Sequence, residues 1–287
     1  MDKRIIEQLA ELAESFNRIG LKPVIFGGLG VYLCFYKAEG QAREMIRVTN
    51  DIDLMLTETQ VLEQARCRAI AEIITGELRY VVREGREHLH FMKDNDKYLD
   101  ILAPPIKGFK RDDIRIKLVS SKLHGRVTKE ACFIEEDLRT VSLDELLLEN
   151  GARDGLEVQV PSLTNLLLLK LFAFNDRDEG ERHNPERAQA HASDVYRIII
   201  LANRADYLEG RQFLSRHKDS DIIQNARSIV GSKFNAVEQA GWRRVLDSSD
   251  FYPGLNRRGK EARLDEARRR LLRWFDISRA GSKPEII

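Results

Sequence analysis

The strongest constraint in this chain is a change of hydrophobic period near Pro161. From Ser162 onward apolar residues recur at helical spacing, over 162–175, 188–203, 206–217, 220–230, 234–246 and 261–276. Before Pro161, short apolar runs are cut by glycine and proline, and the period switches between that of helices and that of strands. Residues 4–18 carry a helical stripe, Ile5, Leu9, Leu12 and Phe16, ending near Gly20. Pro23-Val24-Ile25-Phe26 reads as a short buried strand, broken by Gly27-Gly28 before a second helix from Leu29. A polar, basic loop spans Lys37–Arg47 and a strand spans 48–56. A helix follows over roughly 58–75, then strands at 78–83, 88–93 and 97–102, the last stopped by Pro104-Pro105. Over 106–160 the apolar runs Leu143–Leu148 and Leu156–Val160 have no evident partners. The expected architecture is α/β (α+β): a small mixed-sheet domain over 1–160, then an all-helical domain over 161–287.

The 287 residues suffice for two domains, and 47 basic against 46 acidic residues leave a net charge of +1. That balance neither demands nor excludes a nucleic-acid partner. No stretch approaches the roughly 18–20 apolar residues of a membrane span; the longest, Leu166–Leu169 with its flanks, is cut by Lys170. Met1-Asp2-Lys3-Arg4-Ile5 runs straight into a helical pattern without a signal peptide's apolar core, so a cytoplasmic location without membrane contact is expected. Cys34, Cys67 and Cys132 are odd in number and lack CxxC spacing, against a disulfide framework or a cysteine-rich zinc site. The sequence has no G-x-S-x-G elbow, no GxxxxGK[ST] loop and no protein-kinase motif set.

The most informative segment is Thr49-Asn50-Asp51-Ile52-Asp53-Leu54. On a strand Asp51 and Asp53 share one face while Ile52 and Leu54 enter the core. Two carboxylates so close repel, and strands are depleted in Asp. A hard divalent cation between them, Mg²⁺ or Mn²⁺, removes the conflict. Tyr98-Leu99-Asp100-Ile101-Leu102 offers a third carboxylate by the same alternation. Three Asp on neighbouring strands can hold two metals for in-line phosphoryl or nucleotidyl displacement. The plainer reading is a solvated Asp-x-Asp, or charges guarding a sheet edge. Gly27-Gly28, between a strand and a helix, tilts the balance, because glycines there let backbone N–H groups approach a phosphate.

Lys170 lies on the apolar face of its helix, spaced from Leu163, Leu166 and Leu167. Either its tip snorkels to solvent or it meets an anion in a cleft; an unpaired ammonium there costs several kcal/mol or loses its proton.

Phe26-Gly27-Gly28-Leu29-Gly30-Val31-Tyr32 followed by Thr49-Asn50-Asp51-Ile52-Asp53-Leu54 resembles the signature of the DNA polymerase β-type nucleotidyltransferase superfamily. Within it, the chain is most similar to the AbiEii-type toxins of bacterial abortive-infection and toxin–antitoxin systems, over roughly residues 20–200. The resemblance implies an N-terminal nucleotidyltransferase domain, a helical C-terminal domain, and transfer of an NMP from an NTP to an acceptor hydroxyl on RNA such as tRNA, or on protein. It implies Mg²⁺ (or Mn²⁺) on Asp51 and Asp53, with Asp100 completing the metal site or acting as base. Gly27, Gly28 and Thr49 would hold the nucleotide, together with Lys170, Arg177 and Asp194, and Lys170 would also act in catalysis by adding its charge to that of the metal. A cognate antitoxin protein would be a partner. Two departures stand out: 22 residues separate Gly28 from Asp51, a longer stretch than the family usually has, and His191 stands where the family commonly has Asp. Both favour the alternative, a non-catalytic nucleotide- or partner-binding protein that keeps the fold.

Between Arg257 and Arg273, eight basic residues outnumber three acids. This is either a salt-bridged terminal helix or a surface for phosphate backbones, with Trp274 available to stack on a base. Of the six histidines, His88 and His90 share a strand face, but no carboxylate or cysteine stands at zinc-ligand spacing around them, and a half-exposed strand accounts for both.

Overall fold

A computed structural model describes residues 3–38, 49, 51–83, 90–94, 96–106, 113–115, 124–147, 155–180 and 182–277, with the backbone alone at 113–115, 124 and 125. Most of the expected loop Lys37–Arg47, with Val48, Asn50 and His88, lies outside these residues. Contacts divide the chain into two units, Met1–Leu166 and Leu167–Ile287. The division falls within a helix that begins just after Pro161.

Unit 1 is mixed α/β. Its elements are α1 (Lys3–Arg18), β1 (Val24–Phe26), α2 (Gly27–Phe35), β2 (Asp51–Met55), α3 (Glu58–Leu62), α4 (Gln64–Ala71), β3 (Val81–Val82), β4 (His90–Lys93) and β5 (Lys97–Ala103). Then come β6 (Asp113–Arg115), β7 (His124–Val127), β8 (Arg139–Ser142), α5 (Asp144–Leu147) and β9 (Glu157–Val160). Seven strands run in the order β3-β4-β5-β2-β1-β9-β8, while β7 pairs with β5 and β6 with β7. The sheet is mixed: β1–β9, β2–β5 and β5–β7 are parallel, the other pairs antiparallel.

Burial follows the sequence pattern. Ile5, Leu9, Leu12 and Phe16 of α1 are buried and join one core with Ile52 and Leu54 of β2 and Leu99 and Ile101 of β5. Each such side chain contributes roughly 1.5–3 kcal/mol of transfer free energy. Asp51, Asp53 and Asp100 stay half-buried, as alternation requires of the opposite face. The run Leu156–Val160 finds its partner in β1, beside which β9 lies parallel. Gly20, at φ +73°, turns the chain out of α1.

One expected element is divided. The helix over 58–75 becomes α3, α4 and a π-helical turn, Glu72–Glu77. The break is at Glu63, whose backbone is extended, and the Cys67 thiol donates to the carbonyls of Gln60 (2.9 Å) and Val61 (3.1 Å), satisfying acceptors that a continuous helix would have used.

In the described residues unit 2 is helical: α6 (Leu163–Asp178, which starts in unit 1), α7 (Pro185–Leu201), α8 (Arg204–Arg216), α9 (Asp221–Lys233), α10 (Ala240–Leu246) and α11 (Arg257–Trp274). Asn184, Asn203, Ser220 and Asn256 cap α7, α8, α9 and α11 through their side chains, which explains where those helices start. The helix expected from residue 234 begins only at Ala240, because the Gln239 side chain holds the N–H of Ala236 in a turn (3.1 Å). Phe174, Phe234 and Trp242 stack edge to face at 5.0 and 5.1 Å. Asp178, 6% exposed, ends α6 by accepting from Arg244 of α10 (3.0 Å) and pairing with Lys233 of α9 (3.6 Å). Trp274 is 1% exposed, edge-on to Tyr207, so its ring is core and offers no face to a base.

Candidate metal centre

The two sheet registers that matter cross at Asp100. In the parallel β2–β5 pair Asp53 lies directly opposite Asp100, and Asp51 opposite Tyr98. In the antiparallel β4–β5 pair His90 lies opposite Asp100 on its other side. Directly paired residues share a face at close range, so His90, Asp100 and Asp53 form a row across three adjacent strands. One carboxylate oxygen from each of Asp51, Asp53 and Asp100 lies within 4.8 Å of the others.

Each aspartate has a distinct neighbour that limits its freedom. The Thr49 hydroxyl donates to Oδ1 of Asp51. His90 Nδ1 meets Oδ1 of Asp100 at 2.5 Å. Asp53 lies against Gly27: a Cβ built there would sit 1.7 Å from its Oδ2, and the Gly27 backbone is left-handed at φ +66°. Only glycine fits that position on both counts. Gly28 approaches Thr49, where a Cβ would come within 3.3 Å of the side chain.

Gly27 is also the first residue of α2, whose N-cap, Phe26, supplies no side-chain hydrogen bond to the first turn. Those N–H groups begin beside the Asp53 carboxylate, at the positive end of the helix dipole. The site therefore sets a cluster of acids next to a helix start suited to phosphate oxygens. The donor set is all oxygen, from three half-buried carboxylates that repel one another unless a cation lies between them. That chemistry fits Mg²⁺ or Mn²⁺, and it does not fit a thiophilic metal.

No family model, curated protein or solved structure matches this chain.

Within unit 2 the structure brings Lys170 and Asp194 together. Lys170 Nζ lies 2.6 Å from Asp194 Oδ2, and both are buried, at 6% and 2% exposure. Arg197 donates to the other oxygen of Asp194 at 3.1 Å. Lys170 therefore meets its anion inside the protein rather than reaching for solvent. Asp194 is in mid-helix on α7, so helix capping does not explain it. Arg177, two turns beyond Lys170 on α6, donates to the Arg182 carbonyl at 3.0 Å. His191 sits one turn before Asp194.

From sequence, His90 reads as part of a half-exposed strand with no carboxylate at ligand spacing; the β4–β5 register brings it opposite Asp100, a carboxylate ten residues on. On α11 all three acids are engaged by its own arginines, Glu261 by Arg257 (2.8 Å), Asp265 by Arg268 (2.7 Å) and Glu266 by Arg270 (2.6 Å).

Proposed function

We propose that this chain is a Mg²⁺- or Mn²⁺-dependent nucleotidyltransferase of the AbiEii-like toxin type, moving an NMP from an NTP to an acceptor hydroxyl on RNA such as tRNA, or on protein. One observation carries the reading: Asp51, Asp53 and Asp100 place carboxylate oxygens within 4.8 Å of one another, beside the glycine-started helix α2. Asp51, Asp53 and Asp100 would hold the cation, which supplies positive charge to the triphosphate and the departing pyrophosphate. Gly27 and Gly28 add no side chain of their own to the first turn of α2, where phosphate oxygens would be received by its N–H groups. The Thr49 hydroxyl holds Asp51. The row of fixed side chains on rigid strands contributes positioning, which is most of what such a displacement asks of a protein.

A second reading, a non-catalytic nucleotide- or partner-binding protein, draws on unit 2. Lys170 and Arg177, which the resemblance sets on the nucleotide, are engaged by Asp194 and by the Arg182 carbonyl.

A label-transfer assay separates the two. Purified chain, Mg²⁺, each α-³²P-labelled NTP in turn and total bacterial RNA are incubated together, with Asp51→Ala and Asp53→Asn in parallel. The expected result is label on RNA or on protein from wild type only, with the melting temperature of Asp53→Asn unchanged or raised because one of three repelling charges is gone. Transfer at wild-type rate by Asp53→Asn would remove the metal centre from the chemistry. No transfer with any nucleotide would favour the binding reading.

A further inference from the structure

The hydrogen bond between His90 and Asp100 joins the aspartate row to a residue that the Asp-x-Asp signature does not contain. Asp100 stands between two direct cross-strand neighbours, Asp53 on β2 and His90 on β4. Its Oδ1 is engaged by the His90 ring nitrogen Nδ1 at 2.5 Å, with the two side chains 31% and 26% exposed. The terminal torsion of an aspartate is broad, so an unanchored carboxylate on an open sheet face rotates. Anchoring one oxygen fixes the plane of the group and the direction of the other.

We propose that His90 is a positioning residue of the metal centre: Nδ1–H holds Oδ1 of Asp100 and commits Oδ2 to the divalent cation. The inference rests on the metal-centre reading above and adds a residue to it. Carboxylates that bind metals are commonly held by such outer hydrogen bonds, and losing one costs about 10–100-fold in metal affinity. The same device serves Asp51, whose Oδ1 takes the Thr49 hydroxyl. One tether comes from Thr49, two residues before β2, and the other from the neighbouring strand β4. Together they turn the acids toward a common point.

The test is Mn²⁺ binding by the full chain, read from the electron paramagnetic resonance signal of free Mn²⁺, with a melting curve for each variant. His90→Ala should weaken Mn²⁺ binding about 10-fold or more at an unchanged melting temperature. His90→Asn, whose amide nitrogen reaches the place of Nδ1 and donates in its stead, should restore binding to within about threefold of wild type. Wild-type affinity in His90→Ala would overturn the proposal and leave the metal centre standing. Equal loss in His90→Asn and His90→Ala would overturn it too, by showing that donation from the Nδ1 position is not what matters. Absence of Mn²⁺ binding by wild type would remove the metal centre itself, and this inference with it.

Discussion

Gly27 and Asp53 constrain each other tightly. The glycine turns the backbone into the left-handed region, and the space that a Cβ would fill is occupied by a carboxylate oxygen. Gly27→Ala should therefore lose stability by more than about 1 kcal/mol, the usual cost of a side chain at positive φ, and should push Asp53 off its position. Chemical denaturation measures the first effect and Mn²⁺ affinity the second. An unchanged affinity would mean that Asp53 is not a ligand. Lys170 teaches the converse lesson: its apolar surroundings made a partner necessary, and the partner is Asp194, far along the sequence but within the same helical unit.

Helices and strands differ in how openly the sequence declared them. The α1 stripe and the alternation in β2 and β5 were legible because each has one dry and one wet face. The split of residues 58–77 was not, since it depends on the Cys67 thiol meeting two carbonyls, a contact set by packing. Period alone put Asp51 and Asp53 on one face of their strand and Asp100 on the polar face of its own; that Asp100 lies opposite Asp53, and His90 opposite Asp100, is strand register, a tertiary property. A similar tertiary link ties α1 to the π-helical turn. Glu77 accepts from Arg18 and from the Ser15 hydroxyl (2.7 Å), and these bonds hold its carboxyl below the ordinary range. A carboxyl lowered in the folded state lends stability above its unfolded pKa, about 4.3, and loses it as pH falls through the lowered value. Glu77→Gln should accordingly melt below wild type at pH 7 and converge with it in strong acid. Parallel melting curves at every pH would show that the contact adds nothing.

On the scale of the whole molecule, charge is nearly balanced overall and strongly unbalanced along α11, where basic residues outnumber acids eight to three between Arg257 and Arg273. Removing the helix is the wrong experiment, because Leu264, Leu271 and Trp274 are almost wholly buried and their loss would open the unit's core. Arg258 and Arg273 are exposed and can be changed singly. If the acceptor is RNA, Arg258→Glu with Arg273→Glu should weaken its retention on a filter and flatten the dependence on salt by about one to two log units per log unit. Equal retention at every ionic strength would take α11 out of RNA binding.

The aspartate row also bears on how the sheet finds its alignment. A slip of one residue along β2 would carry Asp51 and Asp53 to the side where Ile52 and Leu54 now stand, against α1 and the core. Two carboxylates would then enter a space with no partner for either, at a cost of several kcal/mol. The acids on the open face thus proofread strand pairing, rejecting the misaligned sheet before any ligand arrives.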